Sequence, residues 1–153
     1  MKSRNTKIQI FDFSKFKVDK KVLSKIIKDI LENINKRFEK IGINFVDDEN
    51  LLKMNVKFLN HNYLTDIITF TYSEAEPYSC EMFISYERAC DNSRKYKNNF
   101  SEEILRLIIH GILHTLGYKD NSSVQKKIMR IEENKILNSI LKRDFVKTKL
   151  LEC

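Results

Sequence analysis

The chain has 153 residues, with 28 Lys+Arg against 21 Asp+Glu and a formal net charge of +7. The length fits one domain, 1–153, and a hydrophobic content of 42% excludes a disordered chain. Three Gly and one Pro exclude collagen-like repeats and low-complexity linkers.

Lys7–Phe11 alternates and predicts a short strand. Asp19 is a candidate N-cap for a helix in which Leu23, Ile26, Ile27, Ile30, Ile34, Phe38 and Ile41 recur at three- and four-residue spacing. Gly42 is placed as its C-terminal cap residue. Ile43–Val46 predicts a second strand. Asp47, Asp48 and Glu49 open a shorter helix carrying Leu51, Leu52, Met54, Val56 and Phe58, with acidic groups suited to the helix dipole. Asp66–Tyr72 is rich in β-branched and aromatic residues and predicts a strand, and Cys80–Ser85 predicts its neighbour across a loop, Ser73–Ser79. Ser85 caps a helix through Cys90, and Asp91–Asn99 reads as a loop.

Ser101, Glu102 and Glu103 start the most apolar helix, which runs to Leu116 and is closed by Gly117. A helix apolar around most of its circumference is expected to be central. Ser122 and Gln125 have capping-box spacing for a final helix through Ile128, Ile131, Leu137, Ile140 and Leu141. The order β-α-β-α-β-β-α-α-α predicts an α+β domain, a small mixed sheet of about four strands packed with helices.

Lys, Asn and Ile together make up 54 residues, all with A/T-rich codons, so the bulk charge says little about partners. Its distribution says more: residues 1–40 carry net +7, residues 41–103 net −5 and residues 104–153 net +5. Contacts with nucleic-acid phosphates are therefore expected on the first and last helices. Three cysteines without a C-x-x-C pair argue against a disulfide framework and fit a reducing cytoplasm. The basic N-terminus has no apolar core and is not expected to be a secretory signal. Leu105–Leu116 is interrupted by Arg106, His110 and His114 and is too short to span a membrane.

Two of the three histidines, His110 and His114, lie four apart on the central helix, so their rings share one face. Gly117 can turn the chain sharply, bringing Asp120 back toward them. Packed, hydrogen-bonded core histidines are the plain alternative. The recurrence at four residues, followed by Gly and Asp, favours a divalent ion held by His110, His114 and Asp120. Three ligands with an open position form a catalytic zinc pattern, and two imidazoles with one carboxylate favour zinc over Mg²⁺ or Ca²⁺. The H-E-x-x-H motif of metallopeptidases has its general base where this chain has Gly111, which argues against peptide hydrolysis. Asp66 and Glu81 are expected to face solvent, His61 to lie exposed in a polar turn, and Cys80 to serve as a small apolar residue.

The run HGILHTLGYKD (His110–Asp120) resembles the H-G-x-L-H-x-x-G-Y-D-H signature of the YbeY family of bacterial rRNA-maturation endoribonucleases. TDIITF (Thr65–Phe70), with Asn55 upstream, resembles that family's N…TNVLSF segment, and CEMFIS (Cys80–Ser85) stands where the family has G-D-I-x-I-S. The resemblance runs from about Ile43 to Ser122. It implies an α+β fold with a metal-bearing central helix and one zinc-like ion held by His110, His114 and Asp120, the last in place of a third histidine. It also implies cleavage of single-stranded RNA in 16S rRNA 3′-end maturation and ribosome quality control, with rRNA and the small ribosomal subunit as partners. The family's Asp before the third ligand falls on Lys119. Its catalytic Arg, counted back from Thr65 without gaps, falls on Leu59, with Lys53 and Lys57 nearby as candidate replacements for the charge. No catalytic residue is assigned. A metal-stabilised ribosome-binding factor without catalysis is the alternative, and an unusual metallopeptidase a more distant one.

Overall fold

A computed structural model describes residues 5–13, 18–59 and 65–142. Its elements are β1 (Lys7–Asp12), α1 (Lys20–Ile34), β2 (Phe38–Val46), α2 (Asp48–Leu59), β3 (Ile67–Ser73), β4 (Tyr78–Ser85), α3 (Tyr86–Lys95), α4 (Phe100–Thr115) and α5 (Ser123–Leu141). The predicted order of strands and helices is the observed one. The four strands form one mixed sheet in the order β1-β2-β4-β3, with β3 antiparallel to β4 and the other pairs parallel.

α1 begins where the sequence predicts, with the Asp19 side chain accepting from the Val22 N–H at 3.1 Å. It ends earlier than predicted. Asn35 adopts φ 55°, and its N–H closes on the carbonyls of Glu32 and Leu31. Asn is among the few residues that visit this left-handed region readily. Phe38, Ile41 and Gly42, read as the end of this helix, belong instead to β2. That strand lies between β1 and β4, and all six of its residues from Ile41 to Val46 are buried. A continuous apolar run satisfies helical spacing and a strand buried on both faces equally well. Gly42 therefore caps nothing; an added Cβ there would lie 3.2 Å from Glu81 Cγ on the neighbouring strand.

Two further boundaries move. α3, capped by Ser85, continues to Lys95 through residues read as loop, because it buries Ala89, Cys90 and Ser93 and pairs Arg88 with Asp91 at 2.6 Å. Arg88 also holds Asp48 of α2 at 3.0 Å, tying the two helices. α4 starts one residue before Ser101, because Asn99 is the N-cap and accepts from the N–H groups of Ser101 and Glu102. Cys80 is a free buried thiol, as expected of a small apolar residue.

One core cluster joins α1, α4 and α5 to one face of the sheet, and a smaller one seats α2 on the other through Val46, Leu51 and Ile68. α4 is the centre, with twelve of its sixteen residues buried. On α5 the buried residues are Met129, Glu133, Ile136, Leu137 and Ile140, whereas Ile128 and Ile131, read as part of its apolar face, are exposed. No helix among the described residues is long and apolar enough to cross a membrane.

The approach of α4 to the sheet is set by Gly111. A Cβ at this position would lie 2.7 Å from Met82 Sδ and 3.0 Å from Thr69 Oγ1. Met82 is fully buried, so it has nowhere to retreat. Overpacking a core of this density costs about 1–3 kcal/mol. Gly111→Val is thus expected to lower unfolding stability by about that amount in urea denaturation, and adding Met82→Ala to the same chain should recover part of the loss.

Candidate metal centre

The i,i+4 spacing of His110 and His114 brings their rings together at 4.6 Å between centroids and an interplanar angle of 82°. Their Nε2 atoms lie 3.0 Å apart. Asp120 reaches the same point: its Oδ2 lies 3.4 Å from His110 Nε2 and 3.5 Å from His114 Nε2. All three residues are half-buried.

Asp120 is delivered by two capping devices. At the end of α4, the Gly117 N–H donates to the His114 carbonyl and the Tyr118 N–H to the Leu113 carbonyl, each at 3.0 Å. This is the paired closure in which a residue of positive φ reverses the chain, and Gly117 supplies it at φ 104°. Seven residues after His114 begin the next anchor. Ser122 accepts from the Gln125 N–H, while the Gln125 side chain accepts from the N–H groups of Asn121 and Ser122. Asp120 sits between the two closures.

The donor set fits a small divalent ion. Bonds of 2.0–2.1 Å to a tetrahedral centre put the donor atoms about 3.3 Å from one another, and the three atoms here are 3.0–3.5 Å apart. The second nitrogen of His110 is also fixed. Nδ1 lies 2.6 Å from Oε2 of Glu133, a residue of α5. Burial opposes ionisation of Glu133, but the hydrogen bond and charge of His110 and the guanidinium groups of Arg130 and Arg106 outweigh it and hold its carboxyl below the usual range. An ionised carboxylate only accepts, so Nδ1 carries the proton and Nε2 presents its lone pair toward His114 and Asp120. Oε1 of Glu133 accepts from Arg106 at 3.2 Å, and Arg106 also donates to Asn134 at 2.9 Å.

Two cavities open on the triad. One, of about 350 Å³, lies between α4 and α5 and includes His110, Asp120 and Glu133 in its lining; the other, of about 390 Å³, lies on the β3 side and includes His114, Thr69 and Leu59. Asp66 lines both, so the expectation that it faces solvent is corrected. It precedes β3 rather than lying on it, accepts through its carbonyl from the Ser85 N–H at 2.9 Å, and burial pushes its carboxyl pKa up. Glu81 lies on the sheet face away from α4, half-buried rather than freely solvated, accepting from Asn44 at 3.2 Å and from the Tyr72 hydroxyl at 2.8 Å. Its neighbours Cys80 and Met82 face the helix, and burial raises the Cys80 thiol to about 11. Lys119 is exposed. Lys53 pairs with Glu49, Lys57 lies over the ring of Phe58, and neither lines a cavity at the triad. His61 lies outside the described residues.

Glu133 is the residue that motif reading missed. Its signal was present: a carboxylate at the core-facing spacing of Met129, Ile136, Leu137 and Ile140.

The fold and site thus define an α+β protein with an HxxxH-plus-Asp triad on a central helix. The family model "Endoribonuclease YbeY" matches residues 8–141. An endoribonuclease YbeY of Azobacteroides pseudotrichonymphae is 41% identical over 128 residues, covering 83% of this chain and 92% of the relative. One of Karelsulcia muelleri is 41% identical over 123 residues, covering 80% and 86%. A solution structure from Thermotoga maritima aligns with a TM-score of 0.64 and 23% identity, covering 88% of this chain and 89% of that one, a likeness of fold. The chain belongs to the YbeY family.

Burial opposes protonation of His110, but Glu133, Asp120 and Asp66 outweigh it and raise its pKa. In chelator-treated protein, Glu133→Gln is expected to lower the His110 pKa, read by NMR titration of the ring. The sign for stability follows. A raised histidine pKa stabilises the fold below the unfolded value and ceases to do so as pH rises through the folded value. The lowered Glu133 pKa stabilises above its unfolded value and fails as pH falls through its folded one. The stability gap between wild type and Glu133→Gln should therefore be widest in the window between the folded pKa values of Glu133 and His110, and should narrow on either side.

Proposed function

We propose that this chain is a metal-dependent, single-strand-specific endoribonuclease of rRNA maturation, acting at the 3′ end of 16S rRNA and in ribosome quality control. The observation that carries the proposal is the triad: three donor atoms from His110, His114 and Asp120 within 3.0–3.5 Å of one another, between two open cavities, in a chain of the YbeY family. We take the ion to be zinc, because two imidazoles and one carboxylate suit it better than the oxygen-seeking cations. The partners in this reading are rRNA and the small ribosomal subunit, and the compartment is the cytoplasm.

His110, His114 and Asp120 would hold the ion, which when bound would supply Lewis acidity for a phosphoryl oxygen and for deprotonation of water. The chain's own part is positional. Glu133 fixes the tautomer and ring orientation of His110. The turn at Gly117 and the cap at Ser122 hold Asp120. The cavities on either side leave the donor atoms accessible to a strand passing between α5 and β3.

A second reading, a metal-stabilised ribosome-binding factor without catalysis, draws on one feature. Leu59, at the position counted for the family's arginine, is an exposed apolar residue lining the β3-side cavity. A metallopeptidase is disfavoured by packing as well as by sequence. The position of that class's general base is Gly111, where even a methyl group would collide with Met82.

His114→Ala is expected to abolish both metal content, measured by elemental analysis, and cleavage of a single-stranded RNA spanning the 16S 3′ end. Cleavage at the wild-type rate by the metal-free variant would refute the proposal. Wild-type protein that binds metal and ribosomal RNA but never cleaves it would select the second reading. Loss of a carboxylate behind a ligating histidine typically costs 10–100-fold in metal affinity. Glu133→Gln should weaken metal binding by about that factor in a chelator competition, with the fold retained by circular dichroism.

A further inference from the structure

The charges around the triad are unevenly placed. On the β3 side, no Lys or Arg among the described residues lines the cavity; its charged groups are Asp66 and Asp120, and the β3 residues that line it, Ile67, Ile68, Thr69 and Thr71, are neutral. On the α5 side, the cavity is lined by Arg106, Lys126 and Arg130. Arg106 is committed to Glu133 and Asn134. Lys126 and Arg130 are exposed, one helical turn apart on the same face of α5, and that face is turned to His110 and Asp120. Arg130 approaches Glu133 only at 3.7 Å, with most of its side chain in solvent.

The carboxylates of this cavity do not cancel the two cations. Glu133 is already matched by Arg106 and His110, Asp120 belongs to the triad, and Asp66 is half-buried, accepts from the Asn92 amide at 3.4 Å, and has its carboxyl pKa pushed up by burial. Glu103 is buried in α4, whereas Lys126 and Arg130 stand at the rim where a ligand arrives.

We propose that Lys126 and Arg130 form a phosphate-binding subsite for single-stranded RNA, so that the strand is gripped by its backbone on the α5 side of the triad and rests on neutral β3 residues on the other. The inference rests on the endoribonuclease reading and deepens it, since it gives the substrate a direction of entry. Two guanidinium or ammonium groups four residues apart meet successive phosphates without reading bases. The grip is therefore tolerant of sequence and sensitive to salt.

The test compares wild type with Lys126→Gln/Arg130→Gln and with Lys127→Gln, which removes a charge from an α5 residue outside the cavity lining. For a single-stranded RNA oligonucleotide, the double variant should raise KM about tenfold and leave kcat within about twofold, while Lys127→Gln stays near wild type. Each phosphate contact to a single strand contributes about 0.7 to the slope of log affinity against log salt. The double variant should therefore flatten that slope by about 1.4 in fluorescence anisotropy. Arg130→Lys should retain most of the affinity, and metal binding should stay close to wild type throughout, because Arg106 and His110, the nearer partners of Glu133, are kept. A double variant indistinguishable from Lys127→Gln in KM and salt slope, while wild type cleaves normally, would overturn the subsite alone. Wild type that neither binds nor cleaves the oligonucleotide would overturn the endoribonuclease reading together with it.

Discussion

The hydrogen bond between His110 Nδ1 and Glu133 Oε2, at 2.6 Å, is the interaction on which the site depends. It joins the two helices that form one wall of the triad. A carboxylate buried among Met129, Ile136 and Leu137 would be costly if left alone, because burying an unpaired charge costs several kcal/mol. Here Arg106 and His110 both satisfy it. The same pairing that makes Glu133 tolerable inside the α4–α5 interface also turns the second nitrogen of His110 toward His114 and Asp120. Structural need and ring orientation are met by one contact.

The sheet plays the complementary part. Gly111 stands between His110 and His114, on the side of α4 that faces Met82 and Thr69. The absence of a side chain lets the helix settle against β3 and β4. The face bearing His110 and His114 then lies alongside the opening of β3, where Asp66 and Thr69 line the cavity. Thr115, one turn after Gly111, donates back to the Gly111 carbonyl at 3.0 Å and meets Thr71 at 3.4 Å. Small and hydroxylated residues therefore form the seam between helix and strand, while the large apolar residues of α4 occupy the rest of its surface.

Much of this was readable in the residues, and the failures have physical causes. The triad was legible because a four-residue spacing, a turn glycine and a following carboxylate are local features, and local geometry fixes them. The end of α1 was not, because Phe38 and Ile41 continue the helical repeat of Ile30 and Ile34 as well as they fit a strand buried on both faces. Only the pairing of β2 with both β1 and β4 decides between them. Asp66 was misread because its burial comes from α3 and α4, distant in sequence. Glu133 was overlooked because it belongs to no motif. Its meaning appears only when α5 is laid against α4, 23 residues away along the chain.

The charge distribution shows the same division between what is local and what is assembled. Read along the chain, the first and last helices are equally good candidates for contact with phosphates. Folded, they are not equivalent. α1 packs its apolar face, Leu23 to Leu31, into the core against β1 and α5. None of its residues lines either cavity at the triad. α5 crosses the triad directly, and Lys126 and Arg130 are its cations on that side. A bulk charge inflated by lysine-rich composition thus narrows to two side chains whose position, rather than number, sets them beside His110 and Asp120.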